Sequence, residues 1–216
     1  TALGRVMAWF GLSRPSADDL PERLDIPLFP LHAVLFPGGV LPLRVFEQRY
    51  LDMTAACLKE QRPFGVCLIV TGKEAGGGAE PHVVGTLAEI SGWEMEQLGI
   101  LQITVRGGRR FRILDTRVGA DHLLQGVVET IPDDGPQPLP AERRRLLPLL
   151  RRVAGDMGPS RIPEPHRYDD AEWVGFRITE ILPVQNLAKQ KLLELEDPLA
   201  RLEILERFLD QRKLLD

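Results

Sequence analysis

IPLFPLHAVLFPGGVLPLRVFE, Ile26 to Glu47, sets short apolar runs between prolines and then passes into a helical pattern. Proline lacks the N–H that a central strand must donate, so Pro27, Pro30, Pro37 and Pro42 predict short edge-type strands joined by tight turns. Gly38 and Gly39 behind Pro37 supply one of those turns. The texture is that of a barrel entrance.

Working outward, apolar and β-branched runs recur through Ile131: Phe64–Val70, Val83–Ile90, Ile100–Val105, Phe111–Val118 and Leu123–Ile131. Ile100, Gln102 and Thr104 alternate with Leu101, Ile103 and Val105, the period of a half-buried strand. Gly107-Gly108 between two of the runs reads as a hairpin turn, and the regular spacing favours antiparallel hairpins closing into a barrel. One helix, Phe46 to Gln61, interrupts them. Val45, Tyr50, Met53, Cys57 and Leu58 share its apolar stripe, so it covers one barrel end. TGKEAGGGAEPH after Val70 lacks the order of a phosphate-binding loop and reads as a mobile hairpin tip.

PDDGPQPLP, Pro132 to Pro140, is turn-rich, and beyond it the period changes to 3.6. Leu146, Leu149, Leu150 and Val153 line a first helix that Pro148 should kink. Ala171, Val174, Ile178 and Ile181 line a second, capped by Asp169 or Asp170. Asn186–Glu196 and Leu199–Lys213 follow, with Pro183 and Pro198 at the breaks. The expected organisation is an arm over 1–23, a β-barrel subdomain over 24–131, a linker over 132–140 and a helical bundle over 141–216.

Composition narrows the function. The chain has 216 residues, 44% of them apolar, which supports a real core, and a net charge of -4, which does not suit binding to phosphate backbones in bulk. Cys57 and Cys67 have no CxxC partner and read as buried small residues in a reducing compartment, so cytoplasm is the expected location. LGRVMAWFGL, Leu3 to Leu12, is too short to span a membrane.

No catalytic constellation stands out. His32, His82, His122 and His166 are dispersed without ligand spacing, and no metal or cofactor is expected. The carboxylates Asp169, Asp170, Glu172 and Glu180 around Arg177 are explained by helix capping and i,i+3 pairing, and Trp173 is expected to pack against the barrel. Two groups remain for recognition. Arg44, Glu47, Gln48 and Arg49 at a strand-to-helix corner are either a solvated helix start, the reading that local sequence favours, or a charged face that reads an extended peptide. Trp93 and Met95, between strands, either anchor a partner or fold back onto the barrel. Arg106, Arg109, Arg110 and Arg112 at the expected hairpin give an alternative, RNA binding, which the acidic net charge and lack of stacking aromatics disfavour.

The ordered series IPLFPLHAVLFPGGVLPLRVFEQRY, FGVCLIVTGKE, VGTLAEI, RFRIL, DDAEWVGFRITEILP and QKLLELEDPLARLEIL resembles the substrate-binding N-terminal domain of the Lon protease family in its free-standing bacterial form. The resemblance runs from Leu24 to Leu209 and implies an α+β fold, a PUA-like antiparallel β-barrel followed by a C-terminal α-helical bundle. Full Lon enzymes add an ATPase module and a Ser-Lys protease module, which do not fit within this length. The four serines, Ser13, Ser16, Ser91 and Ser160, lie in no setting of an activated nucleophile. The implied role is non-catalytic binding of unfolded or extended polypeptide, with a protease or chaperone as the implied associated protein and no membrane.

Overall fold

The computed structural model describes residues 21–133 and 135–215. The expected arm falls almost wholly on residues 1–20, outside the described residues, and Arg23 already belongs to the first strand, β1 (Arg23–Leu31). The strands that follow are β2 (Val40–Val45), β3 (Phe64–Thr71), β4 (Glu80–Pro81), β5 (Val84–Gln97), β6 (Ile100–Val118) and β7 (Leu124–Thr130). Helix α1 (Gln48–Glu60) lies between β2 and β3.

Pro27 and Pro30 do not divide β1 as expected. Residues Arg23 to Pro27 pair antiparallel with β7, and Leu28 to Leu31 pair parallel with β3. Each residue thus has a ladder partner on one side only, which leaves the missing proline N–H on the unpaired side. The parallel pair also completes a circuit, β1-β7-β6-β5-β3 and back to β1. Leu28 and Phe111 fill its centre, both wholly buried. A Cβ on Gly65 would stand 2.7 Å from both side chains, and one on Gly126 would stand 2.7 Å from Leu28. The small residues are what let two large ones meet there.

Gly107-Gly108 do not form the expected hairpin. No turn occurs there: Ile100–Val118 is one strand, and the β5–β6 hairpin turns at Leu98-Gly99, with Gly99 at φ 82. β6 changes neighbour at the glycines, pairing with β2 through Val40↔Arg106 and with β7 from Phe111↔Thr130 onward. A Cβ on Gly107 would lie 2.0 Å from the Phe36 carbonyl oxygen, so the glycine marks a close backbone approach.

After Thr130 a 3-10 turn (Ala141–Leu146) leads into α2 (Leu147–Met157), α3 (Ala171–Ile181), α4 (Asn186–Glu194) and α5 (Pro198–Gln211). Pro148 opens α2 and does not kink it, because the first turn needs no N–H there. Asp170 and Asp197 cap α3 and α5, accepting from Glu172 N (3.1 Å) and Leu199 N (2.8 Å). α3 is buried on nearly every side and is the centre of the helical layer. Trp173 packs there beside the rings of His166 and Tyr168, and it also lines a cavity shared with Gly107 and Arg110 of the strands.

Phe36 and Val84 from the strand part meet Phe176 and Leu193 from the helices. Polar side chains cross the same boundary onto backbone carbonyls. Arg177 donates to Pro37 O (2.8 Å), Asn186 to His32 O (2.6 Å) and Gln190 to Val84 O (3.0 Å). Each bond satisfies a carbonyl that the sheet leaves open.

Candidate functional site

The Ile26–Glu47 stretch doubles back at Pro37-Gly38-Gly39, and its two limbs form the banks of a groove. Phe29, Leu31 and Ala33 stand on one bank and Leu41 to Phe46 on the other, around a cavity of about 360 Å³. Tyr50 at the start of α1 forms part of the wall, and Glu74 and Ala75 of the glycine-rich loop lie at its side. Consecutive residues of β2 line the cavity, so it runs along the edge of the strand, where main chain and side chains of both faces are reached.

That edge is open. Among the described strands β2 pairs with β6 alone. Gly107 N donates to Gly39 O at 2.9 Å, which sets the phase of the ladder. By alternation, Leu41, Leu43 and Val45 turn their backbone groups toward β6, while Val40, Pro42 and Arg44 turn theirs outward. Pro42 therefore stands where β6 asks for no N–H.

The charged corner is held by internal bonds. Arg44 on β2 reaches over β6 to pair with Glu96 of β5 (3.0 Å), and Gln102 also donates to Glu96 (2.8 Å). These bonds hold the Glu96 carboxyl below its usual range. Arg49 is a clasp: it donates to Glu47 (3.1 Å) and to His122 O (2.9 Å), and its guanidinium lies over the Tyr50 ring at 4.5 Å. Glu74 fastens the glycine-rich loop by accepting from His32 N, and its own carbonyl faces Arg49. The loop is a hairpin tip as expected, pinned at this point. Its glycines Gly72, Gly76, Gly77 and Gly78 all have positive φ.

Of the residues singled out in the sequence, Arg44 and Glu47 line the groove and Arg49 braces Glu47 from behind. Gln48 points elsewhere and bonds Asp52 (2.7 Å). Trp93 and Met95 lie in β5, opposite Ile103 and Leu101, on the far side of β6 from the groove. Both remain about half exposed, at 52% and 59%. The groove's other bank and Glu74 were not singled out. Pro42 was the available signal, since a proline within a strand marks a free edge.

The arginine run is not a surface hairpin. Arg110 is buried and donates to Leu193 O (2.9 Å) and Leu195 O (2.8 Å), and Arg112 stands 3.6 Å from Glu196. Phe111 points inward on the other face of the strand. Cys57 and Cys67 are free and buried, and burial pushes the Cys57 thiol up to about 11. Among the described residues no group of three or more His, Cys, Asp or Glu side chains could hold a metal ion, and no helix is long and apolar enough to cross a membrane.

Residues 25–211 match the family described as the ATP-dependent protease La (LON) substrate-binding domain. A Lon protease of Xanthomonas oryzae pv. oryzae is 30% identical over 222 residues, covering 91% of this chain and 24% of that protein. Protein cereblon of Xenopus tropicalis is 28% identical over 166 residues, covering 72% of this chain and 36% of that protein. The chain thus spans about a quarter to a third of the length of these relatives. Among solved structures, a Lon N-terminal domain protein from Xanthomonas campestris superposes with a TM-score of 0.72 at 36% identity, covering 85% of this chain and 98% of that one.

Proposed function

Because this chain belongs to the Lon substrate-binding domain family, we propose that it is a non-catalytic recognition module that binds extended polypeptide by adding it as a strand beside β2. The observation that carries this reading is the open edge of β2 running along an apolar groove. Main-chain groups of Val40, Pro42 and Arg44 supply hydrogen bonds that any sequence can use, and the apolar walls reward apolar side chains on one face of the guest. Such a site reads unfolded segments without a strict motif. Trp93 and Met95 form a second apolar contact, two strands away, for a longer guest. The strand-rich part over 24–131 carries the edge, and the helices over 141–216 brace it. Buried free thiols suit a reducing, cytoplasmic setting.

The test is equilibrium binding of a fluorescently labelled, permanently unfolded polypeptide. Phe46 lines the groove yet is 54% exposed, so Phe46→Ala should leave the fold intact and weaken binding about tenfold. Trp93→Ala should weaken it about twofold. Equal affinity of wild type and Phe46→Ala would contradict the site.

A further inference from the structure

The groove does not end at the apolar cavity. Beyond Ala33 and Leu41 the same two banks continue as Val34, Leu35 and Phe36 on one side and Val40 on the other, around a second cavity of about 100 Å³ that shares Leu41 with the first. Its lining changes character. Arg161, Glu180 and Lys189 come to it from the α2–α3 connection, α3 and α4. The Glu180 carboxylate is matched by the buried Arg177, whose Nε stands 2.9 Å from Oε2. Lys189 uses one of its donors on the Glu180 carbonyl, at 2.7 Å. Arg161 is exposed beside them. With Arg177 offsetting Glu180, the charges of Arg161 and Lys189 remain at the Val40 end of the groove.

We infer that this end of the groove binds a carboxylate of the guest strand, which fixes the direction in which the polypeptide lies. The inference rests on the reading of β2 as a docking edge and adds polarity to it. Three cations, Arg161, Arg177 and Lys189, share the single carboxylate of Glu180, and this surplus of positive charge beside a cavity with room for a carboxylate and a methylene or two is the charge complement of such a group. A guest whose C-terminal carboxylate lies at the Val40 end runs opposite to β2, so it adds antiparallel, with the rest of its length over the apolar cavity. An Asp or Glu side chain near the guest's end offers the same chemistry.

The experiment compares three short extended peptides that share apolar residues at alternate positions. One ends in a free carboxylate, one in an amide, and one in an amide preceded by Glu. Titrated into the full chain, the free acid should bind at least about fivefold more tightly than the plain amide. The advantage should disappear in Arg161→Glu, an exposed position where folding is safe, and shrink in Lys189→Met. Tight binding by the Glu-amide assigns the carboxylate to a side chain, and tight binding by the free acid alone assigns it to the terminus. Equal affinities of all three overturn the carboxylate site while leaving the edge intact. Failure of all three to bind overturns the edge reading itself, and the carboxylate site with it.

Discussion

Arg110 on β6 and Arg201 on α5 close on the same acceptor, the carbonyl of Leu195 just beyond α4. Arg110 also takes Leu193 O, and Arg201 takes Leu192 O at 2.9 Å through Nε. Both guanidinium groups lie near the Phe176 ring, at 5.7 and 4.1 Å. A helix C-terminus leaves carbonyls without partners and favours positive charge. Two buried cations thus cap α4, and one of them comes from the sheet.

Arg110→Ala should therefore cost about 1–3 kcal/mol of stability, because it strips the buried Leu193 carbonyl of its charged donor and leaves Leu195 O to Arg201 alone. Arg110→Lys should recover less than half, since both carbonyls accept from one guanidinium nitrogen, Nη1, and a lysine ammonium is a shorter-reaching, more strongly hydrated charge that is costlier to bury. Urea unfolding midpoints check this, and a loss below about 0.5 kcal/mol for the alanine variant would contradict the capping role.

The adjacent glycines of β6 should behave differently. A Cβ at Gly107 meets the Phe36 carbonyl oxygen at 2.0 Å, whereas at Gly108 the nearest atoms are 3.6 Å away. Gly107→Ala should lower the stability by about 3 kcal/mol or more, and Gly108→Ala should change it by less than about 1. Thermal unfolding of the two variants decides; equal melting temperatures would refute the close approach.

These glycines also show where the sequence stops being legible. Period-two alternation located both halves of β6, but a Gly-Gly pair serves a turn and a strand crossing equally well, and only the position of Phe36 distinguishes them. Pro27 and Pro30 misled for a related reason: a strand that changes partner midway has a free side at every residue, and that is a property of topology. The helices were legible because their breaks are local, as with Asp170 and Pro198. Of the site, the β2 bank was visible through Pro42 and Arg44. The opposing bank was not, since Phe29 and Leu31 look like any core residues until the chain doubles back. Arg161 and Lys189 gave no signal because tertiary packing alone brings them to Val40.

The Glu180 carboxyl lies against the Gly39 backbone, and burial lifts it from 4.5 to about 7, while Arg177 and Lys189 pull the other way. The folded state thus holds this proton more tightly than the unfolded chain. Stability from this group is full below about pH 4.5, falls as pH rises through 7, and is level above that. The loss over that interval is at most about 3 kcal/mol. Glu180→Gln should flatten it, as measured by urea unfolding across the range. An unchanged slope in the variant would contradict the assignment.

Glu74 holds the glycine-rich loop to His32 N beside the groove. Glu74→Ala should speed amide hydrogen exchange at His32 by about tenfold or more, with less than about 1 kcal/mol of global destabilisation. Unaltered exchange at that amide would show that the loop is held elsewhere.

Docking of a guest strand on the open side of β2 would change the exposure of particular main-chain groups. Residue-resolved amide exchange, recorded with and without saturating unfolded polypeptide, tests it directly. The N–H groups of Val40 and Arg44 point outward and should become protected when the guest binds, while those of Leu41, Leu43 and Val45, already bonded to β6, should change little. If the polypeptide binds and Val40 and Arg44 exchange as fast as before, β2 is not the docking edge.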